Sequence, residues 1–196
     1  MTTVVLASAS PRRQELLALL VSNFETHSAN IDEAVHHGED PGEYVLRLSR
    51  EKAASIATHC PGRVVIGADT CVAINQSIMG KPLDRGHARR MLASLSNTTH
   101  HVFTGITACR DGEESSHCVR TAVTFAPLSS DLIESYLDTD EPWDKAGAYA
   151  IQGRAGSFVT AIDGSYSSVV GLPLLEARLL LKGFGVDVCW AGPSHE

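Results

Sequence analysis

Lysine is the scarcest charged residue in this 196-residue chain: only Lys52, Lys81, Lys145 and Lys182 occur, against three times as many arginines. Long apolar runs are missing too. A membrane span needs about 20 such residues, so none is expected. The first residues lack the basic region and apolar stretch of a secretory signal, so export is not expected. Cys60, Cys71, Cys109, Cys118 and Cys189 form an odd, scattered set with no CxxC pair. That argues against a disulfide framework or a zinc site and points to reduced thiols in the cytoplasm. Positive charge is in deficit, with a formal net charge of −7. Non-specific nucleic-acid binders carry a basic surface, so no nucleic-acid partner is expected. A small anion in a local basic pocket stays open.

Repeats, low-complexity tracts and Pro/Ser linkers are also absent. What remains is ordinary globular composition, 43% hydrophobic and 20% charged. Strand and helix signals mix without strict alternation. Val4–Ser8 reads as a buried strand, Pro11–Val21 as a helix and Phe24–Ser28 as a short strand. Asp40-Pro41 opens a long helix. Arg63–Gly67 is rich in β-branched residues and reads as a strand. Cys71–Ile74 and Ser77–Gly80 read as a hairpin about Asn75-Gln76. Asp84 caps a helix with Ala88, Met91, Leu92 and Leu95 at helical spacing. His100–Arg110 and His117–Pro127 flank a polar turn at residues 111–114. Ser129–Leu137 and Pro173–Lys182 read as helices and Ser157–Ile162 as a strand, with residues 139–155 loop-like. The pattern predicts one α/β domain over residues 1–190, with a mixed, twisted sheet flanked by helices and two lobes around a central cleft. Residues 191–196 read as a frayed tail.

One stretch runs against electrostatic expectation. In LASASPRRQELLALL, residues 6–20, a strand end passes through Ser10 and Pro11 into a helix. Arg12 and Arg13 stand in its first turn, where the helix dipole disfavours cations. A helix N-terminus binds anions, and a multiply charged anion there would reconcile the pair. Guanidiniums grip phosphate oxygens bidentately, and Ser8 and Ser10 add hydroxyls. The bland reading, arginines extended into solvent or paired with Asp or Glu, is equally open on this stretch alone. GxxxxGK[ST] is absent, so this is no Walker loop.

Other element ends carry charge. VVIGADT (64–70) places Asp69 at a strand tip. Ile31-Asp32-Glu33 puts two carboxylates in a loop, and Gly80-Lys81-Pro82 a lysine in a tight turn. Asp144 and Lys145 stand side by side, as a structural ion pair or as phosphate contacts. Each carboxylate alone reads as a solvated loop residue. Together, carboxylates and cations suit metal-assisted phosphate chemistry. The adjacent histidines His100 and His101 face opposite ways if they lie in a strand, and make a poor chelate.

SASPRR (8–13), IDE (31–33), EKA (51–53), GADT (67–70), GKP (80–82), HxVFTG (100–105), EPWDKAGAYAIQG (141–153) and GSYSSVVGLPL (164–174) occur in register over nearly the whole chain. In these the chain resembles the Maf, or septum-formation inhibitor, family of nucleoside triphosphate pyrophosphatases. The DKAGAYAIQG segment is similar to the branch acting on dTTP, UTP and modified pyrimidine nucleotides.

The resemblance implies water attack on the α-phosphorus, releasing pyrophosphate and a monophosphate, in a role of cleansing the nucleotide pool. It implies Asp69 as the catalytic carboxylate, with Glu33 and Asp69 at a divalent metal, magnesium first and manganese as the alternative. Asp32 is the lesser member of its pair, and Asp84 is a helix cap. Ser8, Arg12, Arg13, Lys52 and Lys81 would hold phosphates. Arg12, Thr70 and Gln152 would select the base. A homodimer is implied as well. Two competing readings are a non-catalytic nucleotide sensor acting on septum formation and a 7-methyl-GTP pyrophosphatase. Asn97 and Ser168 depart from the family pattern, which has Gly and Asn there.

Overall fold

The computed structural model describes residues 3–188; the tail expectation and Cys189 lie outside them. One seven-stranded mixed sheet organises the chain, in the order β2-β1-β3-β5-β6-β7, with β4 paired to β3. Strand β1 (Val4–Leu6) is fully buried and leads into α1 (Pro11–Ala18), and β2 (Phe24–Thr26) then runs parallel to β1. Helix α2 (Pro41–Ala57) starts at Asp40, whose carboxylate accepts from the Gly42 N–H at 2.8 Å.

Strand β3 (Val64–Ile74) is longer than the sequence suggested. It continues through GADT and turns at Asn75-Gln76 into β4 (Ser77–Met79). Its neighbours divide its length. Val64–Ile66 pair with β1 on one side, and Val72–Ile74 pair with β4. Between these two pairings that edge carries no ladder, while β5 covers Val65–Ala73 on the other side. Asp69 lies in this gap. It is not at the tip of β3, as expected, but in mid-strand opposite Gly105, where the short β1 has already ended.

Asp84 caps α3 (Arg85–Leu95) by accepting from the His87 N–H at 2.7 Å. Strands β5 (Thr99–Arg110) and β6 (Glu113–Phe125) form a hairpin with a two-residue turn, shorter than the four-residue turn expected. Asp111 and Gly112 both have positive φ, 49° and 90°, as a tight turn matched to strand twist requires. After α4 (Ser130–Leu137) the loop-like stretch is built of short 3₁₀ turns. Strand β7 (Val159–Asp163) closes the sheet. A five-residue helix, α5 (Tyr166–Val170), was not anticipated, and α6 (Leu174–Gly183) follows.

Two glycines set how the layers meet. A Cβ on Gly67 would fall 2.2 Å from the Ser49 carbonyl oxygen, and one on Gly105 would fall 2.2 Å from that of Val45. Helix α2 therefore lies directly on β3 and β5 through side-chain-free contacts. On this face Val5, Ala7 and Val65 pack with Ala53 and Ile56. On the other face Leu6, Ile66 and Ala68 pack with Leu17, Leu180 and Leu181 of α1 and α6. A third cluster joins Val72, Val102 and Val123 to α3, α4 and the segment 148–158.

Candidate active site

The gap in the β3 edge opens into a cleft of about 710 Å³, in the range of nucleotide-sized ligand sites. Ser8, Arg12, Arg13, Glu33, Lys52, Asp69, Thr70, Lys81 and Gln152 all line it. The sequence scattered these residues over 145 positions, and the fold brings all nine to one cavity. Asp144 and Lys145 line it too. Five cationic side chains thus face three carboxylates there, a local positive surplus in a chain of net charge −7.

Lys52 is the centre of the α2 side. Because α2 sits flush on Gly67, its buried ammonium reaches the sheet and donates to Asp69 Oδ1 at 2.6 Å. The same Nζ lies 2.6 Å from Glu33 Oε1. Partial burial opposes ionisation of Glu33. The hydrogen bond from Lys52 and the fields of Lys52, Lys81 and Arg13 outweigh it, so the carboxyl sits below its ordinary value. The loop carrying Glu33 is tied to α2. Tyr44 Oη donates to the Glu33 carbonyl at 3.1 Å, and Arg47 binds the Ala34 carbonyl and both oxygens of Glu39.

Arg13 serves the opposite face. Its Nε donates to the Gly171 carbonyl at 3.0 Å, Nη1 to Ser8 Oγ and Nη2 to Thr70 Oγ1, each at 3.4 Å. Burial lowers its guanidinium from the usual arginine value, against the attraction of Asp69. Ser10 occupies the N-cap position of α1 but makes no side-chain cap; its own N–H donates to Ser8 Oγ at 3.2 Å. No acid stands in the first turn of α1 either. The start of α1 thus carries two arginines with neither a side-chain cap nor an acid, and amides at such a helix start are able to bind an anion.

Arg12 lies 4.0 Å from Asp144, which in turn holds Lys145 by a direct hydrogen bond. Asp144 and Lys145 pair with each other, as the ion-pair reading has it, and both border the cleft. Lys81 and Gln152 are exposed and make no hydrogen bond or ion pair among the described residues. Asp32 turns back to accept from the Ala34 N–H.

No group of three or more His, Cys, Asp or Glu side chains is arranged to hold a metal among the described residues. Glu33 and Asp69 offer hard carboxylate oxygens on either side of one ammonium. That donor set suits magnesium, which binds through one or two carboxylates plus substrate phosphates and keeps its remaining waters. His100 and His101 do face opposite ways. His100 is fully buried and bonds Tyr149 Oη at 2.8 Å, while His101 meets Arg120.

A family model described as Maf-like protein matches residues 3–184. The chain belongs to the Maf family. Relatives named dTTP/UTP pyrophosphatase include that of Myxococcus xanthus, 50% identical over 96% of both chains. That of Moorella thermoacetica is 47% identical over 96% of this chain and 98% of its own. That of Symbiobacterium thermophilum is 44% identical over 98% and 99%. Among solved structures, the Staphylococcus aureus Ham1 protein aligns with a TM-score of 0.51 at 14% identity, covering 93% of this chain and 99% of that one, a likeness of fold alone.

Both departures from the Maf pattern have a place in the structure. Asn97 adopts φ 51°, the left-handed region that Gly fills most easily and Asn next. Ser168 is fully buried with its Oγ unpartnered, and its carbonyl accepts from Thr104 Oγ1 at 2.8 Å. Sequence reasoning missed Thr104, Gly171 and Tyr44, which hold the site residues. Gly67 stood inside GADT, Thr104 and Gly105 inside HxVFTG and Gly171 inside GSYSSVVGLPL, but the motifs gave none of them a role, and Tyr44 stood in no motif.

Proposed function

We propose that this Maf protein hydrolyses dTTP and UTP, with modified pyrimidine nucleotides, to the monophosphate and pyrophosphate, and so cleanses the nucleotide pool. One observation carries the reading: Arg13, Lys52 and Lys81 converge with Asp69 on a single nucleotide-sized cleft. The names of relatives at 44–50% identity support the substrate class.

The triphosphate lies across the start of α1, where Arg12, Arg13 and backbone amides meet its charge, with Lys52 and Lys81 opposite. Asp69 accepts a proton from the water that attacks the α-phosphorus, and pyrophosphate leaves. Such reactions are governed by positioning and by neutralising developing charge. Glu33 and Asp69 would hold a divalent cation, magnesium or manganese, which when bound supplies further neutralisation of the phosphates. Lys52, whose ammonium lies 2.6 Å from both Asp69 and Glu33, supplies positive charge beside the phosphates. Gln152 presents an amide able to donate and accept toward a pyrimidine edge.

The test is pyrophosphate release from a nucleotide panel with magnesium. Turnover of dTTP and UTP is expected, with 7-methyl-GTP a poor substrate. Asp69→Asn should lower kcat by about 10²-fold or more, as loss of a general base does, with the circular dichroism spectrum unchanged. Binding without turnover anywhere on the panel would replace the reading with a nucleotide sensor. Turnover of 7-methyl-GTP alone would move it to that branch.

A further inference from the structure

We infer that Thr104, a buried residue outside the cleft, is a positioning residue for the phosphate-binding arginine; the inference rests on the reading of the cleft given above. Thr104 Oγ1 lies 2.8 Å from the Ser168 carbonyl and 3.0 Å from Thr70 Oγ1. A carbonyl only accepts, so the single hydroxyl hydrogen of Thr104 goes to Ser168. Thr70 must then donate to Thr104. With its hydrogen committed, Thr70 Oγ1 meets Arg13 Nη2, 3.4 Å away, only as an acceptor. A guanidinium only donates. The chain Arg13–Thr70–Thr104–Ser168 therefore has one polarity, and reversing any link would break another.

Both ends of this chain attach Arg13 to the same short helix. Ser168 lies within α5, and Gly171, at its end with φ 131°, takes Arg13 Nε directly. One guanidinium nitrogen, Nε, is thus pinned to the end of α5 by a carbonyl, and another, Nη2, is tied to the same helix through two threonines. Thr104 is fully buried and does not border the cleft. Its influence on a bound phosphate passes first through Thr70, which itself borders the cleft, and from there to Arg13. Without the hydroxyl at position 104, Thr70 is free to rotate its hydrogen toward Arg13, where it repels a donor.

The experiment measures pyrophosphate affinity, by inhibition of dTTP turnover and by thermal shift, in the full chain. Thr104→Val removes the hydroxyl at nearly constant shape. It is expected to weaken pyrophosphate binding and raise KM for dTTP about tenfold, the scale of one hydrogen bond to a charged group, with kcat changed less. Thr104→Ser should restore both. In an Arg13→Met background, Thr104→Val should cause no further loss. Wild-type affinity in Thr104→Val overturns the inference, as does an equal loss in the Arg13→Met background, which would mark a merely structural role. If Thr104→Val does not fold, Thr70→Val breaks the same chain one link earlier, and unchanged pyrophosphate affinity there is equally fatal. Wild-type protein that neither binds pyrophosphate nor turns over dTTP overturns the phosphate-site reading itself.

Discussion

Asp69 and Thr70 are adjacent on β3 and point to opposite faces of the sheet, yet both border the same cleft. Asp69 meets Lys52 of α2, and Thr70 meets Arg13 of α1. This is possible only because the β3 edge is unpaired between the ends of its β1 and β4 ladders. The site wraps around a sheet edge, so each face contributes its own helix.

Lys52→Met should change the titration of Glu33. Lys52 helps hold the Glu33 carboxyl below its ordinary value, so removing it should raise that carboxyl's pKa. Carbon-13 NMR titration of Glu33 without ligand reads this directly. A carboxyl depressed in the folded state adds stability above its unfolded value and loses it as the pH falls through the folded one. The variant should therefore lose part of the acid sensitivity of folding. An unmoved Glu33 midpoint would contradict the contact.

Gly67→Ala should be costly at a site that looks innocuous in sequence. The added methyl would meet backbone of α2 at 2.2 Å, so helix and sheet must separate. Destabilisation of about 3 kcal/mol is expected from such overpacking, measured by urea unfolding. Because α2 carries Lys52, activity should fall together with stability. Gly62→Ala, with open space around it but positive φ, should cost less and leave activity intact.

Asn97 offers a comparison in the other direction. With φ 51°, Asn97→Gly should leave stability within about 1 kcal/mol of wild type, while Asn97→Val should lower it by about 1–2 kcal/mol through left-handed strain. Thermal unfolding checks both.

His100 should make folding sensitive to mild acid. Burial, with a smaller contribution from His101, lowers its pKa from 6.5 to about 4. The unfolded chain then binds this proton first, so stability is lost as the pH falls from 6.5 toward 4. The full effect is about 3 kcal/mol. Denaturant midpoints measured across that window should fall in wild type and fall less in His100→Gln.

The N-terminal half of the site was legible because each element end announced itself. Ser10-Pro11 marked a helix start, and the two arginines after it violated the dipole rule for a reason that chemistry could supply. Asp69 was legible as a functional carboxylate but misplaced on its strand. GADT contains small residues that look like a strand end, and nothing local shows that β1 stops after three residues and leaves β3 exposed. Thr104 stood inside the HxVFTG motif, yet its role was illegible for a different reason. A threonine in a β-rich run is ordinary, and its role exists only because β5 pairs it with Thr70 and α5 delivers a carbonyl from sixty-four residues away. Helix α5 itself, at five residues, is too short for hydrophobic periodicity to reveal.

The alternation along β3 has a consequence for how this chain can change. Inserting one residue between Ile66 and Asp69 would exchange the two faces downstream of it. The carboxylate would turn toward Arg13 and the hydroxyl toward Lys52, inverting acid and neutral partners at once. No single replacement could undo that, so length in this strand is under tighter constraint than identity.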